Sequence, residues 1–238
     1  MRAFLEARPN KHMPKNLAIV GYGKMGRLID QLAPEYGFTV HACIDVNDDF
    51  ARAKGADVAI EFTLPGAVSA NVEALAAQGV PVVVGTTGWV NQMDHVRATV
   101  ERHKAGLVWS PNFSIGVNVF FRVVREAARL LENEPQYGAW AWEIHHHTKK
   151  DAPSGTLLKL VEEMKNAGYT HAIDTAANRA GANPGTHEIG FDSAADTITL
   201  RHTARSREGF ARGALKAAQW LPGKQGIFKF EDVLFQSR

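Results

Sequence analysis

The stretch NLAIVGYGKMGRLI constrains this chain more than any other. A short β-prone apolar run, Asn16 to Val20, enters three glycines at 21, 23 and 26, and Met25, Leu28, Ile29 and Leu32 then recur at helical spacing until Pro34 and Gly37. Three glycines spaced G-x-G-x-x-G arise easily by chance. Between a strand and a helix the same spacing has a mechanical meaning. The first glycine permits a tight turn, the second lets backbone approach a pyrophosphate, and the third lets helix and strand pack closely, with the anion at the helix N-terminus. An acidic residue, Asp45, ends the next strand candidate, FTVHACID, where a carboxylate accepts hydrogen bonds from ribose hydroxyls. Gly21, Tyr22, Gly23, Lys24, Met25, Gly26 and Asp45 are therefore candidate cofactor-binding residues. Asp45 repels a 2′-phosphate and no arginine follows it in IDVND, which favours NADH; Lys24 and Arg27 lie near enough in sequence to keep NADPH as the alternative.

The pattern repeats downstream. Strand candidates DVAIEFT, VPVVVGTTG and LVWSPNFS alternate with helical AVSANVEALAAQG and WVNQMDHVRATVERHKAG. Near-continuous apolar strands between helices predict a doubly wound parallel sheet of Rossmann type. After about residue 114 the order changes. VNVFFRVVREAARLL reads as a long helix apolar enough to be covered at both ends or on both faces. YGAWAWEIHHH alternates like a strand, GTLLKLVEEMKNA and FARGALKAAQWL are helical, and THEIGFD and DTITLRHTA are strands. This second part predicts a smaller α+β domain with a mixed open sheet. The expected division is a loose extension over 1–15, a dinucleotide-binding domain over 16–113 and 207–238, and a substrate-binding and oligomerisation domain over 114–206.

The bulk numbers exclude several classes. The 238 residues can bury a substantial core, and a formal charge of +2 is too near balance to imply nucleic acid. No apolar run approaches the ~18 residues of a membrane span. The one cysteine, Cys43, makes neither an internal disulfide nor a cysteine-rich zinc site. A cytoplasmic protein without nucleic-acid or membrane partners is expected.

GTTG and SPNF each follow an apolar strand, and ligands of a doubly wound sheet bind outside the carboxyl ends of its strands. Gly85, Thr86 and Thr87, with Ser110, Pro111, Asn112 and Phe113, fall on that side; ordinary turn chemistry explains such loops equally well. The stretch EIHHHTKKDAPSGT, Glu143 to Thr156, concentrates proton-bearing groups. Consecutive histidines on a regular strand do not converge on one ion, and there is no H-E-x-x-H spacing, so no resident metal is expected. If the strand runs through WAWEIHHH, His145 and His146 point to opposite sides. The Ser-Gly-Thr turn before LLKLVEEM offers backbone N–H groups to a carboxylate or phosphate, while Ser154 or Thr156 is also suited to cap the helix. A histidine titrating near neutral pH is suited to donate a proton.

Taken with VGYGKMGR, EFTLPGAV, VVVGTTGW, SPNFSIGVN, NPGTHEIGF, FARGALKAAQWL and GIFKFEDVL, that stretch makes the chain from about Asn16 onward resemble the dihydrodipicolinate reductase (4-hydroxy-tetrahydrodipicolinate reductase) family of bacterial lysine and diaminopimelate biosynthesis. The string HHxxKxDAPSGT is its most specific part. The resemblance implies NAD(P)H-dependent reduction of a small cyclic dicarboxylate, with hydride arriving at ring C4 and a proton at the adjacent carbon. By that mapping His145 is the general acid and Lys149 a second catalytic or carboxylate-binding group. His146, Ser154, Gly155 and Thr156 become substrate contacts, and the GTT and SPNF loops nicotinamide-side contacts. A homotetramer is implied as well. His147 receives no role. The alternative is another two-domain NAD(P) oxidoreductase of the aspartate or homoserine dehydrogenase type, which shares the glycine loop but does not need the histidine–lysine string.

Overall fold

The structure is a computed structural model in which residues 14–235 are described. Contacts divide the chain into two units, one up to Ser110 together with Leu215–Lys229, the other Pro111–Ala214 together with the chain from Phe230. The extension expected over 1–15 lies, up to residue 13, outside the described residues, and Lys15 already opens the first strand.

In the first unit six strands form one parallel sheet: β1 (Lys15–Val20), β2 (Phe38–Ile44), β3 (Val58–Glu61), β4 (Val82–Val84), β5 (Gly106–Trp109) and β10 (Gly226–Lys229). Their spatial order is β10-β5-β4-β3-β1-β2. The chain passes from β1 to β2 on one side, then to β3 on the other, so the topological switch lies at β1/β3. Helices α1 (Lys24–Leu32), α2 (Val68–Ala76) and α3 (Met93–His103) lie between the parallel strands in sequence, as crossovers must. VAIE and VVV are buried at every position, which is why they read as apolar runs, broken only by Glu61 at the end of β3. Ile44, Leu75, Val84, Trp89, Val96 and Leu107 belong to one core cluster.

The second unit contains a four-stranded mixed sheet in the order β7-β6-β8-β9, from β6 (Gly138–His145), β7 (Ile173–Arg179), β8 (Thr186–Asp192) and β9 (Thr197–Thr203). β6 is parallel to β7 and antiparallel to β8, and β8 is antiparallel to β9. Two helices, α4 (Ile115–Leu131) and α5 (Gly155–Asn166), pack Phe121, Val124, Leu157 and Leu160 against Ala139, Ala141, Ile189 and Phe191 of the sheet. The two-residue period of β6 therefore turns Ala139, Ala141, Glu143 and His145 inward. Two polar side chains thus end an otherwise apolar row.

Three details depart from the sequence reading. Helix α4 is not covered on both faces: Val119, Val123 and Leu130 are exposed, and Val117, Phe121 and Val124 face the core. β7, with the sequence IDTAANR, is mostly exposed and polar, so hydrophobic periodicity gave no signal for it. The C-terminal segment is shared between the units. β10 joins the first sheet, but Phe230, which opens the short helix α7 (Phe230–Leu234), is fully buried with its ring 4.8 Å from that of Phe113. The divide falls within α6 (Glu208–Trp220) rather than at residue 207. No helix among the described residues is long and apolar enough to cross a membrane.

Gly213 sits inside α6, where alanine ordinarily stabilises a helix by ~1 kcal/mol. Here an added Cβ would collide with the carbonyl oxygen of Phe113 and meet Phe230 Cζ at 3.1 Å. Gly213→Ala should therefore destabilise the protein by about 1–3 kcal/mol. A urea midpoint at or above the wild-type value would contradict this packing.

Candidate active site

The glycine loop follows β1 directly. Gly21 has φ +91° and donates its N–H to the Ile44 carbonyl at 2.8 Å. A Cβ at Gly21 would strike the Phe62 carbonyl, and one at Gly26 would strike the carbonyl of Gly21, so both positions need glycine for close packing. Gly23 caps α1 without a side-chain hydrogen bond, has open space where a Cβ would stand, and is followed by a first turn with no acidic residue. That leaves the first N–H groups and the positive end of the helix dipole available to an anion. These features fit the diphosphate of a dinucleotide. Tyr22 donates its hydroxyl to Asp30, which holds the phenol up to about 12, and Arg27 lies 5.5 Å from the Tyr22 ring centroid.

Asp45 stands just past β2, where its Oδ1 accepts the N–H of Val46 at 2.9 Å while its own N–H donates to Asp48 Oδ2 at 2.9 Å. Asp48 in turn pairs with Arg52 at 3.0 Å. The GTT loop is tied down from beneath. Gly85 must lack a side chain because the Phe62 ring fills that space, and Thr86 is buried, accepting the Thr63 N–H at 2.7 Å. Below it the carboxyl of Glu61 is fully buried at the end of β3; burial pushes it up, opposed by hydrogen bonds from Thr63, Thr86 and Asn71. Thr87 is exposed. Of the SPNF residues, Ser110 closes the first unit and Pro111 is exposed. Asn112 accepts the Ser114 N–H at 2.9 Å and shapes the entry to α4. Phe113 is core, so a cofactor would meet its backbone rather than its ring.

The second unit gathers the histidine–lysine stretch around one carboxylate. Glu143 is 0% exposed. Its Oε1 accepts the Ser154 N–H at 2.8 Å and Arg179 Nη2 at 2.7 Å, and its Oε2 accepts the Ser154 hydroxyl. Burial alone would raise this carboxyl, but the bonds from Ser154 and Arg179 outweigh it and hold Glu143 below the usual range. Nε2 of His187 lies 3.3 Å and Nδ1 of His145 3.6 Å from Oε2, and the two rings meet edge to face at 5.0 Å. Glu143, His145 and His187 cluster closely enough to resemble a metal triad, with ligand atoms within 4.8 Å of one another. The carboxylate is, however, already occupied by an arginine and by both donors of Ser154. Burial, first, and then Lys149 and Arg179 push the His145 imidazole below its ordinary range, against Glu143 and Asp151. His187 is pushed down to about 4, chiefly by burial.

The remaining predicted residues separate by strand face and helix position. His146 lies just past the end of β6, its Nδ1 2.6 Å from the Thr148 hydroxyl. Nδ1 of His147 lies 2.9 Å from the Gly181 carbonyl. Lys149 bonds both oxygens of Asp151, at 2.7 and 2.9 Å. Ser154 is the N-cap of α5 and accepts the Leu157 N–H at 3.2 Å. Gly155 and Thr156 open that helix, whose first turn has no acidic residue. The structure thus joins His145 to the α5 cap through Glu143. Sequence reasoning missed Glu143, Arg179, Gly185 and His187. Glu143 was legible, since it lies two residues before His145 and shares its strand face. Gly185 has φ +134°, and a Cβ there would stand 2.9 Å from His145 Nε2.

Comparison with known proteins agrees along the whole described chain. The family described as "Dihydrodipicolinate reductase, N-terminus" matches residues 15–113, and "Dihydrodipicolinate reductase, C-terminus" matches residues 116–234. A 4-hydroxy-tetrahydrodipicolinate reductase of Christiangramia forsetii is 34% identical over 232 residues, covering 92% of this chain and 97% of that protein. One of Methanosarcina acetivorans is 39% identical over 195 residues, covering 75% of this chain and 73% of its own. In fold, the chain is similar to a dipicolinate-bound dihydrodipicolinate reductase from Paenisporosarcina sp. TG-14, with a TM-score of 0.76 at 21% identity, covering 94% of this chain and 100% of the other. With both of its halves matched and a relative this similar over nearly its full length, the chain belongs to the dihydrodipicolinate reductase family.

Proposed function

We propose that this protein reduces 4-hydroxy-tetrahydrodipicolinate to tetrahydrodipicolinate in lysine and diaminopimelate biosynthesis, with NADH as the preferred reductant and His145 as the acid. The observation that carries this reading is the buried network joining His145, through Glu143, to the N-terminus of α5. The reduced nicotinamide dinucleotide, when bound, supplies the hydride. The residues of this chain do the rest. N–H groups of Gly155 and Thr156, with Lys149 and His146, hold the substrate carboxylates and draw electron density from the ring. His145 supplies the proton at the carbon next to the reduced one.

Gly21 to Gly26 hold the diphosphate, Asp45 the adenine-side ribose, and the GTT and SPNF loops the nicotinamide side. The preference for NADH is supported by two carboxylates at the turn after β2, Asp45 and Asp48, and by Arg52 being paired to Asp48. A homotetramer is supported by the sheet face opposite α4 and α5, which carries the half-buried Trp140 and Trp142. A cytoplasmic location completes the reading.

Purified protein should oxidise NADH, and NADPH more slowly, with the substrate generated in situ; no turnover with either cofactor would overturn the reading. His145→Gln should lower kcat by ~10² or more with little change in KM. A variant with near wild-type kcat would mean the acid is another group.

The low His145 pKa adds a pH signature. A required acid is lost as pH rises through its pKa. In the free protein that pKa lies below the ordinary 6.5, whereas a bound dianion stabilises the imidazolium and raises it. The alkaline limb of kcat/KM should therefore fall at lower pH than that of kcat; coincident limbs would contradict it. Stability carries the same sign. With His187 at about 4 in the fold and 6.5 when unfolded, the unfolded chain binds more protons between those values. The thermal midpoint should fall as pH is lowered from 6.5 towards 4, and a flat or rising midpoint over that window would show that His187 is not held neutral.

A further inference from the structure

We infer that Glu143 is the positioning residue of the acid: it receives Nδ1 of His145, leaves Nε2 as the atom that faces substrate, and makes protonation of the ring possible in a buried site. The inference rests on the reading of His145 as the proton donor. Three observations carry it. First, Glu143 and His145 share one face of β6, and the nearest carboxylate oxygen stands 3.6 Å from Nδ1. That atom is buried and has no hydrogen-bond partner. At 3.6 Å the pair stands just beyond hydrogen-bond length, but a buried carboxylate this near still favours the tautomer with its proton on Nδ1, and positive charge on the ring strengthens the attraction. Second, Nε2 lies on the Gly185 side, where the missing Cβ is what leaves room beside it.

Third, the charges around the ring leave few groups to stabilise an imidazolium. Facing His145 are Glu143 from β6, Lys149 and Asp151 from the loop after it, Arg179 from β7 and His187 from β8, with His202 of β9 beyond His187. Lys149 and Arg179 oppose protonation, and His187 is neutral near neutral pH. Asp151 is exposed and already bonded to Lys149. Glu143 is fully buried and held ionised by Ser154 and Arg179, so its attraction for the ring is little screened. The arrangement is a carboxylate behind an imidazole, fixing which nitrogen carries the proton and favouring the charged form when substrate arrives.

Glu143→Gln keeps the shape and one acceptor but removes the charge. NMR of the imidazole nitrogens in the substrate-free protein should show the Nδ1–H tautomer of His145 in wild type. In the variant that preference should be lost and the titration of His145 should move down by about one pH unit or more. The variant's kcat should fall ~10-fold or more, with its alkaline limb displaced to lower pH and NADH affinity unchanged. Glu143→Asp, which retains the charge one methylene further back, should fall between the two. Ser154→Ala removes a cap and one bond to Glu143 while keeping the carboxylate, so it should lower stability and move the His145 titration less than Glu143→Gln does. If Glu143→Gln or Glu143→Asp folds and leaves both tautomer and titration at wild-type values, Glu143 is only structural and the inference fails. If wild type shows the Nδ1–H tautomer but reduces no substrate of this pathway, the proposed function fails and the Glu143–His145 pairing stands.

Discussion

The second unit depends on a charge placed where water cannot reach it. A carboxylate removed from water costs several kcal/mol unless it is paired and hydrogen-bonded. Glu143 meets that demand through Arg179 from β7 and through both the N–H and the hydroxyl of Ser154 at the start of α5. Each partner belongs to a different element, so satisfying one carboxylate fixes the register of β7 on β6, the end of β6 and the first residue of α5 together. A slip of one residue along β6 would turn Glu143 and His145 to the opposite face and strand Arg179. The ion pair is thus better understood as a specifier of local geometry than as a source of net stability, since buried pairs often contribute little against a well-packed apolar alternative.

The first unit buries a carboxyl as well, and solves the problem the other way. Among the described residues no cation pairs with Glu61, whose hydrogen bonds come from Thr63, Asn71 and Thr86, and burial pushes its carboxyl upward. Arg179 is what separates the two cases. With it Glu143 stays charged and can act electrostatically on an imidazole; without such a partner Glu61 tends towards the neutral acid and serves to knit the end of β3 to the GTT loop. Similar side chains at the ends of two buried strands therefore have different uses because of one neighbouring guanidinium.

Much of this was legible in the sequence where the signal is local. The parallel sheet followed from apolar runs separated by helical periods, and the glycine loop from its place between strand and helix. The inward facing of His145 followed from the two-residue period of β6, which ends there, so His146 lies beyond the strand. What stayed hidden depends on contacts distant in sequence. IDTAANR carries no hydrophobic alternation, so β7 and its Arg179 became visible only through pairing with β6. His187 lay within a quoted motif, but nothing in NPGTHEIGF says that its ring meets His145. Phe230 falls, with the rest of 207–238, in the expected dinucleotide-binding domain because chain continuity is readable and burial against Phe113 is not. Ser154 was read with two roles open, cap or ligand. The structure uses its side chain as the cap of α5, as a donor to Glu143 and as a neighbour of His187 Nε2 at 3.2 Å.

The two cations near the ends of β6 and β7 differ in what they can release. Lys149 is bonded to both oxygens of Asp151, an exposed carboxylate, and exposed pairs are worth only about 0–1 kcal/mol. An incoming carboxylate can take Lys149 from Asp151 at small cost, because water resolvates the carboxylate left behind. Arg179 cannot be released in the same way. Separating it from Glu143 would leave a fully buried charge uncompensated, at a cost of about 3–5 kcal/mol, more than one new surface contact returns. Burial therefore separates two like charges: Lys149 can change partners at small cost, and Arg179 stays in place, holding the carboxylate that stands behind His145.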